Sequence, residues 1–275
     1  GLEAVNVNSN PELLKLNAEE SEPLNHAYGT NGIITSLLIS TDVKQDWYSI
    51  VIDCEDFQNA INIIKLCTSS AIELKLGAIL EDEIVDKMPS WFKRNKSCHK
   101  LLIQSNLGGF KTIEMICKKN KLNVENLGRE EELDHGLSDL VWNHTTLQMR
   151  AKDKNWTYLQ MLLPLNEEFK LIKSLRDKYG KQLLWHLEAV SQQGIPRLAA
   201  LPLLKWKDEK QLNQIIEDCS SLGAIIFNPH VVTVEGGGLG VTDSDQVKAK
   251  QIYDPKGLLN PGKLEGWAEK ENFID

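Results

Sequence analysis

The sequence predicts an α+β protein: a duplicated ferredoxin-like β-α-β-β-α-β arrangement, with helices over one face of a broad antiparallel sheet. Three observations lead there. Short segments alternate apolar and other residues with period two, as in Tyr48, Ile50, Ile52 and Cys54. Between them run stretches with apolar residues at helical spacing, such as Phe57, Ala60, Ile61, Ile64 and Cys67. The same order of elements then occurs twice, in residues 46–128 and 150–235.

Residues 1–45 are expected to be a separate, smaller piece. Asn6, Asn8, Asn10, Pro11 and Pro23 interrupt any regular pattern, and Leu13 to Leu16 is the local apolar group. By themselves the first 25 residues are expected to be poorly ordered. Gly29-Thr30-Asn31-Gly32 reads as a turn whose glycines admit positive φ, and Leu37-Leu38-Ile39 as the strand after it.

In the first half, strands are expected at 47–54, 72–80, 101–104 and 123–127. Helices are expected at 55–69, capped by Asp53, and at 110–121, with Phe110, Ile113, Ile116 and Cys117 inward. A charged, glycine-bearing linker spans 128–136. In the second half a strand at 156–163 precedes a helix at 167–179, capped by Asn166 and stopped by Gly180. Strands 183–190 and 195–204 form a hairpin around Gln192-Gln193-Gly194. Asp208 starts a helix carrying Leu212, Ile215, Ile216, Cys219 and Leu222, and the last strand begins at Ala224.

The chain has 275 residues, 41% of them hydrophobic and 25% charged, with a formal charge of −8. Such a length carries a real core, and no apolar run is long enough for a transmembrane helix. The negative balance without a basic block argues against nucleic acid. Cys54, Cys67, Cys98, Cys117 and Cys219 are odd in number and lack C-x-x-C spacing, which suits reduced core thiols in a cytoplasmic protein. No H-x-x-x-H or H-x-x-E spacing exists, so no metal site is expected.

Residues 227–240 hold the densest chemistry. His230 and Glu235 are expected on one strand, followed by Gly236-Gly237-Gly238. His230 there is either a base that takes the hydroxyl proton of an alcohol, or an interior histidine bonded to a backbone carbonyl. His186 and Glu188 share a strand face by period-two alternation, with Arg197 on the neighbouring strand as a carboxylate clamp and His144 ahead of the second half. His186, Arg197 and His144 are therefore candidate substrate contacts, or else polar residues on a solvated sheet face.

Near the C-terminus, Asp254-Pro255-Lys256-Gly257-Leu258-Leu259-Asn260-Pro261-Gly262-Lys263 resembles the closing signature of FAD-linked oxidases and dehydrogenases of the vanillyl-alcohol oxidase type. That group includes glycolate oxidase subunits and D-lactate dehydrogenases. His26-Ala27-Tyr28-Gly29-Thr30-Asn31-Gly32-Ile33-Ile34-Thr35 resembles the segment that ends its flavin domain. The resemblance implies an FAD-dependent oxidoreductase acting on a small alcohol or 2-hydroxy acid. Residues 1–45 would be the end of the FAD-binding domain, 46–235 the substrate or cap domain, and 236–275 a returning tail. Gly29, Thr30, Asn31, Gly32 and Ile33 would approach the adenosine-diphosphate side of FAD, and Asn260, Gly262 and Lys263 the ring or phosphates. The chain would be a C-terminal fragment that works with its upstream FAD-binding region and a small-molecule substrate, and a redox partner subunit fits the same scheme. One departure stands out: where many of these dehydrogenases carry Glu-His-Gly, this chain has Glu235-Gly236-Gly237. The alternative is a noncatalytic subunit or interaction module. A pair of small-molecule-binding regulatory domains would explain neither terminal motif.

Overall fold

Residues 1–92, 98–237 and 243–267 are described by the structure, a computed structural model. The chain forms two units, Gly1–Val43 with Phe227–Asp275, and Lys44–Ile226.

The first unit opens with strands β1 (Leu2–Val5) and β2 (Leu13–Leu16), the helical turn α1 (Ala18–Ser21) and strand β3 (Ile33–Leu37). β1 is central, antiparallel to both neighbours. The first 25 residues thus form strands and a helical turn in the company of later segments. Asn17 and Glu20 form a reciprocal capping box. Leu2 and Ala4 bury against Leu24, Leu16 and Tyr253 from the distant end of the same unit.

The second unit runs β4 (Tyr48–Cys54), α2 (Phe57–Ser69), β5 (Leu74–Leu80), the helical turn α3 (Asp82–Val85), β6 (His99–Ser105), α4 (Leu107–Lys119) and β7 (Val124–Arg129). There follow α5 (Asn143–Lys152), β8 (Trp156–Tyr158), β9 (Gln160–Leu162), α6 (Glu168–Tyr179), β10 (Leu183–Leu184), β11 (His186–Gln192), β12 (Ile195–Ala200), β13 (Leu203–Lys205), α7 (Glu209–Ser221) and β14 (Ile225–Phe227). Eight strands join in the order β14-β9-β12-β11-β5-β6-β4-β7. Taken by halves, this is the ferredoxin-like arrangement twice, with the second strand of each half meeting at the centre. At that seam Leu187 stands opposite Ile79, and Glu188 opposite Ala78.

One face of the sheet carries Ile50, Ile52, Ile79, Leu101, Leu187 and Leu198, which pack against the inner stripes of α2, α4, α6 and α7. These four helices and their inward residues follow the expected periodicity. The other face is covered as well: Val51, Ala78, Leu80 and Leu102 lie under Ile84, Phe92, Leu140 and Met149. Lys100, Gln104, His186 and Glu188 are buried.

Several local expectations are corrected. Asp56, not Asp53, caps α2 by accepting the Gln58 amide; Asp53 still belongs to β4, which pairs through Cys54 opposite His99. Asn166 does not cap α6; it adopts φ 65° and accepts from Lys65, and Glu167 holds the cap position. The strands expected at 156–163, 183–190 and 195–204 each break, at Leu159, Trp185 and Leu201-Pro202. Their first or last residues form a separate sheet ordered β10-β13-β8. Helix α5 has little amphipathic pattern and was not expected. The last strand ends at Phe227; Val234–Gly237 is the helical turn α8, so His230 and Glu235 do not share a strand. A ten-residue helix, α9 (Ser244–Tyr253), follows, capped by Asp243.

Candidate functional site

Within the first unit, the two family-like segments lock to each other. The Thr30 hydroxyl donates to Ala27 O at 2.6 Å and Asn31 Nδ2 donates to Pro23 O at 2.8 Å and Gln246 O at 2.9 Å. Lys250 Nζ, 2% exposed, donates to Thr30 O, Leu259 O and Asp254 Oδ2 at 2.9, 2.8 and 2.5 Å. Asp254 in turn accepts the Leu258 and Leu259 amides at 2.9 and 2.7 Å. Burial alone would raise the Asp254 carboxyl, but the Lys250 ammonium and these amides outweigh it and hold it below the ordinary carboxylate value. Asn260 Nδ2 completes the clasp by donating to Tyr28 O.

Of the expected cofactor contacts, Thr30 and Asn31 are buried with their side chains committed to this internal network. Gly29, Ile33, Asn260 and Gly262 are exposed, and Gly32 and Lys263 half-buried. Gly29 has φ +66°, and a Cβ there would meet Asn260 Nδ2 at 2.9 Å. The positive φ is what favours glycine, leaving backbone as the surface this turn offers. A Cβ on Gly237 would collide with the Tyr28 hydroxyl. His230 lies exposed in a turn, its amide donating to Asn228 Oδ1. Glu235 is buried, and its two carboxylate oxygens accept the Glu265 and Gly266 amides at 3.1 and 3.0 Å. Gly238 falls outside the described residues.

Within the second unit, period-two alternation does bring His186 and Glu188 together. Both are buried, and His186 Nε2 lies 2.6 Å from Glu188 Oε1. The same Oε1 accepts the Trp142 amide at 2.8 Å. The contact uses Nε2, so Nδ1 is the ring nitrogen aimed away from the pair. Nδ1 is buried and has no hydrogen-bond partner among the described residues. Trp142 adopts φ 54°, an unfavourable region for a bulky residue, with its side chain half exposed at the start of α5. His144 sits in the first turn of α5, exposed, with Nδ1 3.0 Å from Ser138 O. Arg197 lies opposite Val190, its guanidinium engaged by Gln192 Oε1 at 2.9 Å and Leu163 O at 2.7 Å. His186 and Glu188 thus form a pair, while Arg197 and His144 have neighbours of their own.

The same fold recurs in solved proteins. Structures of alkyldihydroxyacetonephosphate synthase match 94–95% of this chain and 52% of that one, at 15% identity and TM-scores of 0.57–0.59. A 4-ethylphenol oxidase from Gulosibacter chungangensis, in an isoeugenol complex, matches over 96% of this chain and 65% of that one, at 13% identity and TM-score 0.57. A variant of Physcomitrella patens BBE-like 1 matches over 94% and 64%, at 11% identity and TM-score 0.54. This chain carries their fold. It is the fold that the terminal motifs imply, and the chain spans between half and two thirds of the length of these proteins. No protein-family model and no curated protein matches the chain.

The sequence reading missed Gln246, Lys250 and Trp142. Lys250 and Asp254 stand four residues apart at the junction of α9 with the closing loop, a spacing that places their side chains side by side on a helix. Trp142 gave no signal, because what marks it is its backbone angle and the Glu188 contact.

Proposed function

We propose that this chain is part of an FAD-dependent oxidoreductase that oxidises a small alcohol or 2-hydroxy acid, glycolate- or lactate-like, in the cytoplasm. The carrying observation is that nearly the whole chain superposes on proteins named as oxidases and a synthase, while both terminal motifs sit clasped together as one surface. The residues present suit a dinucleotide: Gly29, Gly32 and Gly262 have positive φ, so the clasp offers bare backbone for close approach. Gly29, Gly32 and Ile33 would approach the adenosine-diphosphate side, with Thr30 and Asn31 holding the turn from within, and Asn260, Gly262 and Lys263 would approach the ring or phosphates.

When bound, the flavin would supply the two-electron acceptor for the substrate's hydride. The protein's part is orientation and proton transfer. In this reading the exposed His230 would take the hydroxyl proton, with Glu235 beside it in the same segment, and His186, Arg197 and His144 would contact the substrate. The rest of the FAD-binding region would come from the upstream part of a longer protein, and a partner subunit could relay electrons.

The test is the visible spectrum of the chain joined to its upstream region, mixed with a panel of hydroxy acids. Flavin absorbance that bleaches with one of them supports the reading and names the substrate class; a protein that takes up no FAD overturns it. A second reading, a noncatalytic subunit, is favoured by one observation: Glu235 is buried with each oxygen accepting a backbone amide, next to the Gly236 that departs from the Glu-His-Gly of the dehydrogenases the motif resembles. A bound flavin that stays oxidised with every compound selects it.

A further inference from the structure

Outside both regions, the start of β6 gathers a thiol, an amine and a carboxylate. Lys100 Nζ lies 3.1 Å from Cys98 Sγ and 2.6 Å from Asp53 Oδ1. Asp53 is fixed from its other oxygen by Asn123 Nδ2 at 3.0 Å. Lys100 is 0% exposed and Cys98 5%, whereas Cys54, Cys67, Cys117 and Cys219 are each 0% exposed. Burial pushes those other thiols up, to about 12 for Cys54, Cys67 and Cys219 and about 11 for Cys117. Cys98 is therefore the one of the five thiols that combines residual exposure with an amine in direct contact.

We propose that Cys98 and Lys100 are the two ends of a reversible covalent cross-link formed in the presence of hydrogen peroxide. In the first step the Cys98 thiolate attacks one peroxide oxygen. The S–O bond forms, the O–O bond breaks, sulfur loses two electrons and the leaving hydroxide takes a proton to become water. In the second step the Lys100 ammonium gives a proton to Asp53, and the free amine attacks the sulfenic sulfur. The S–N bond forms, the S–O bond breaks and a second water leaves. The balance is one thiol, one amine and one peroxide giving a sulfenamide and two waters, a net loss of two hydrogens from the protein. Added thiol reverses it by attacking sulfur, returning the amine and, after a second exchange, the thiol. The contact distance allows the bond without movement of the strand, and it withdraws Lys100 from its ion pair with Asp53. This inference does not depend on the flavin reading.

The experiment is intact-mass and tryptic-peptide analysis of the 275-residue chain before and after hydrogen peroxide, and again after dithiothreitol. The expected result is a mass lower by two hydrogens, loss of tryptic cleavage after Lys100, and recovery of both with dithiothreitol. Cys98→Ser abolishes the change and Cys67→Ser leaves it intact. Lys100→Met, combined with Asp53→Asn to remove the countercharge along with the amine, converts the product to a sulfenic acid trapped by dimedone. Cys98 that gains oxygen in the wild-type chain while Lys100 is still cleaved overturns the proposal, as does Cys98 that peroxide leaves unchanged.

Discussion

Lys250 is the residue on which three segments of the first unit converge. Its three ammonium donors go to the turn at Thr30, the loop at Leu259 and the carboxylate of Asp254. Lys250→Ala leaves Asp254 buried without its cation, and it is expected to destabilise that unit by about 3–5 kcal/mol in urea unfolding. Lys250→Met, which refills the volume, together with Asp254→Asn should cost much less. Asp53 and Asp56 separate in the same way. Asp56→Ala removes a helix cap and is expected to cost about 1 kcal/mol, while Asp53→Ala takes the carboxylate from the buried Lys100 ammonium and should cost more. His99 supplies a pH signature. Burial, with the Arg176 charge second, lowers it from 6.5 to about 4. The native state then binds fewer protons than the unfolded chain between those values, so stability is lost as pH falls through that window. In His99→Gln the melting temperature should fall less steeply between pH 6.5 and 4. At this scale the sequence was only partly legible. His186 and Glu188 follow from alternation alone, but the choice between Asp53 and Asp56 as a cap depends on how far β4 pairs, which Cys54 opposite His99 decides.

Among the elements, helices with strong apolar stripes were readable, because burial of that stripe is what makes the helix stable. Helix α5 was not, since its few buried residues, Thr145, Thr146 and Met149, make no stripe. The hairpin of β11 and β12 was readable from Gln193-Gly194, whose φ values of 52° and 80° fit a two-residue turn with both residues left-handed. Asparagine tolerates that region better than glutamine, so Gln193→Asn is expected to stabilise by roughly 0.5–1 kcal/mol in thermal unfolding. The breaks at Leu159, Trp185 and Leu201-Pro202 left no local mark in two of three cases. Continuous apolar runs look alike whether one sheet or two receives them.

For the molecule as a whole, the order β-α-β-β-α-β gave the duplication, but nothing in either half told which strands would meet. The seam of β11 on β5 makes one core of two halves, since Ile79 and Leu187 belong to the same apolar cluster as all four helices. Leu187→Ala is therefore expected to cost about 2–5 kcal/mol and to move a single calorimetric transition for residues 44–226, not to split it.

The discontinuity of the first unit carries a consequence for the order of synthesis. Asn31 finds its acceptor at Gln246 and Thr30 its donor at Lys250, 215 and 220 residues later. At about 5–20 residues per second, the early strands leave the ribosome roughly ten to forty seconds before their partners exist. Residues 44–226 can complete their own sheet meanwhile. Throughout that interval the turn at Thr30 and Asn31 lacks its Lys250 and Gln246 partners, and Leu2 and Ala4 lack the cover of Tyr253. Nascent chains stalled before residue 243 should consequently be the species that chaperones hold and that aggregates first.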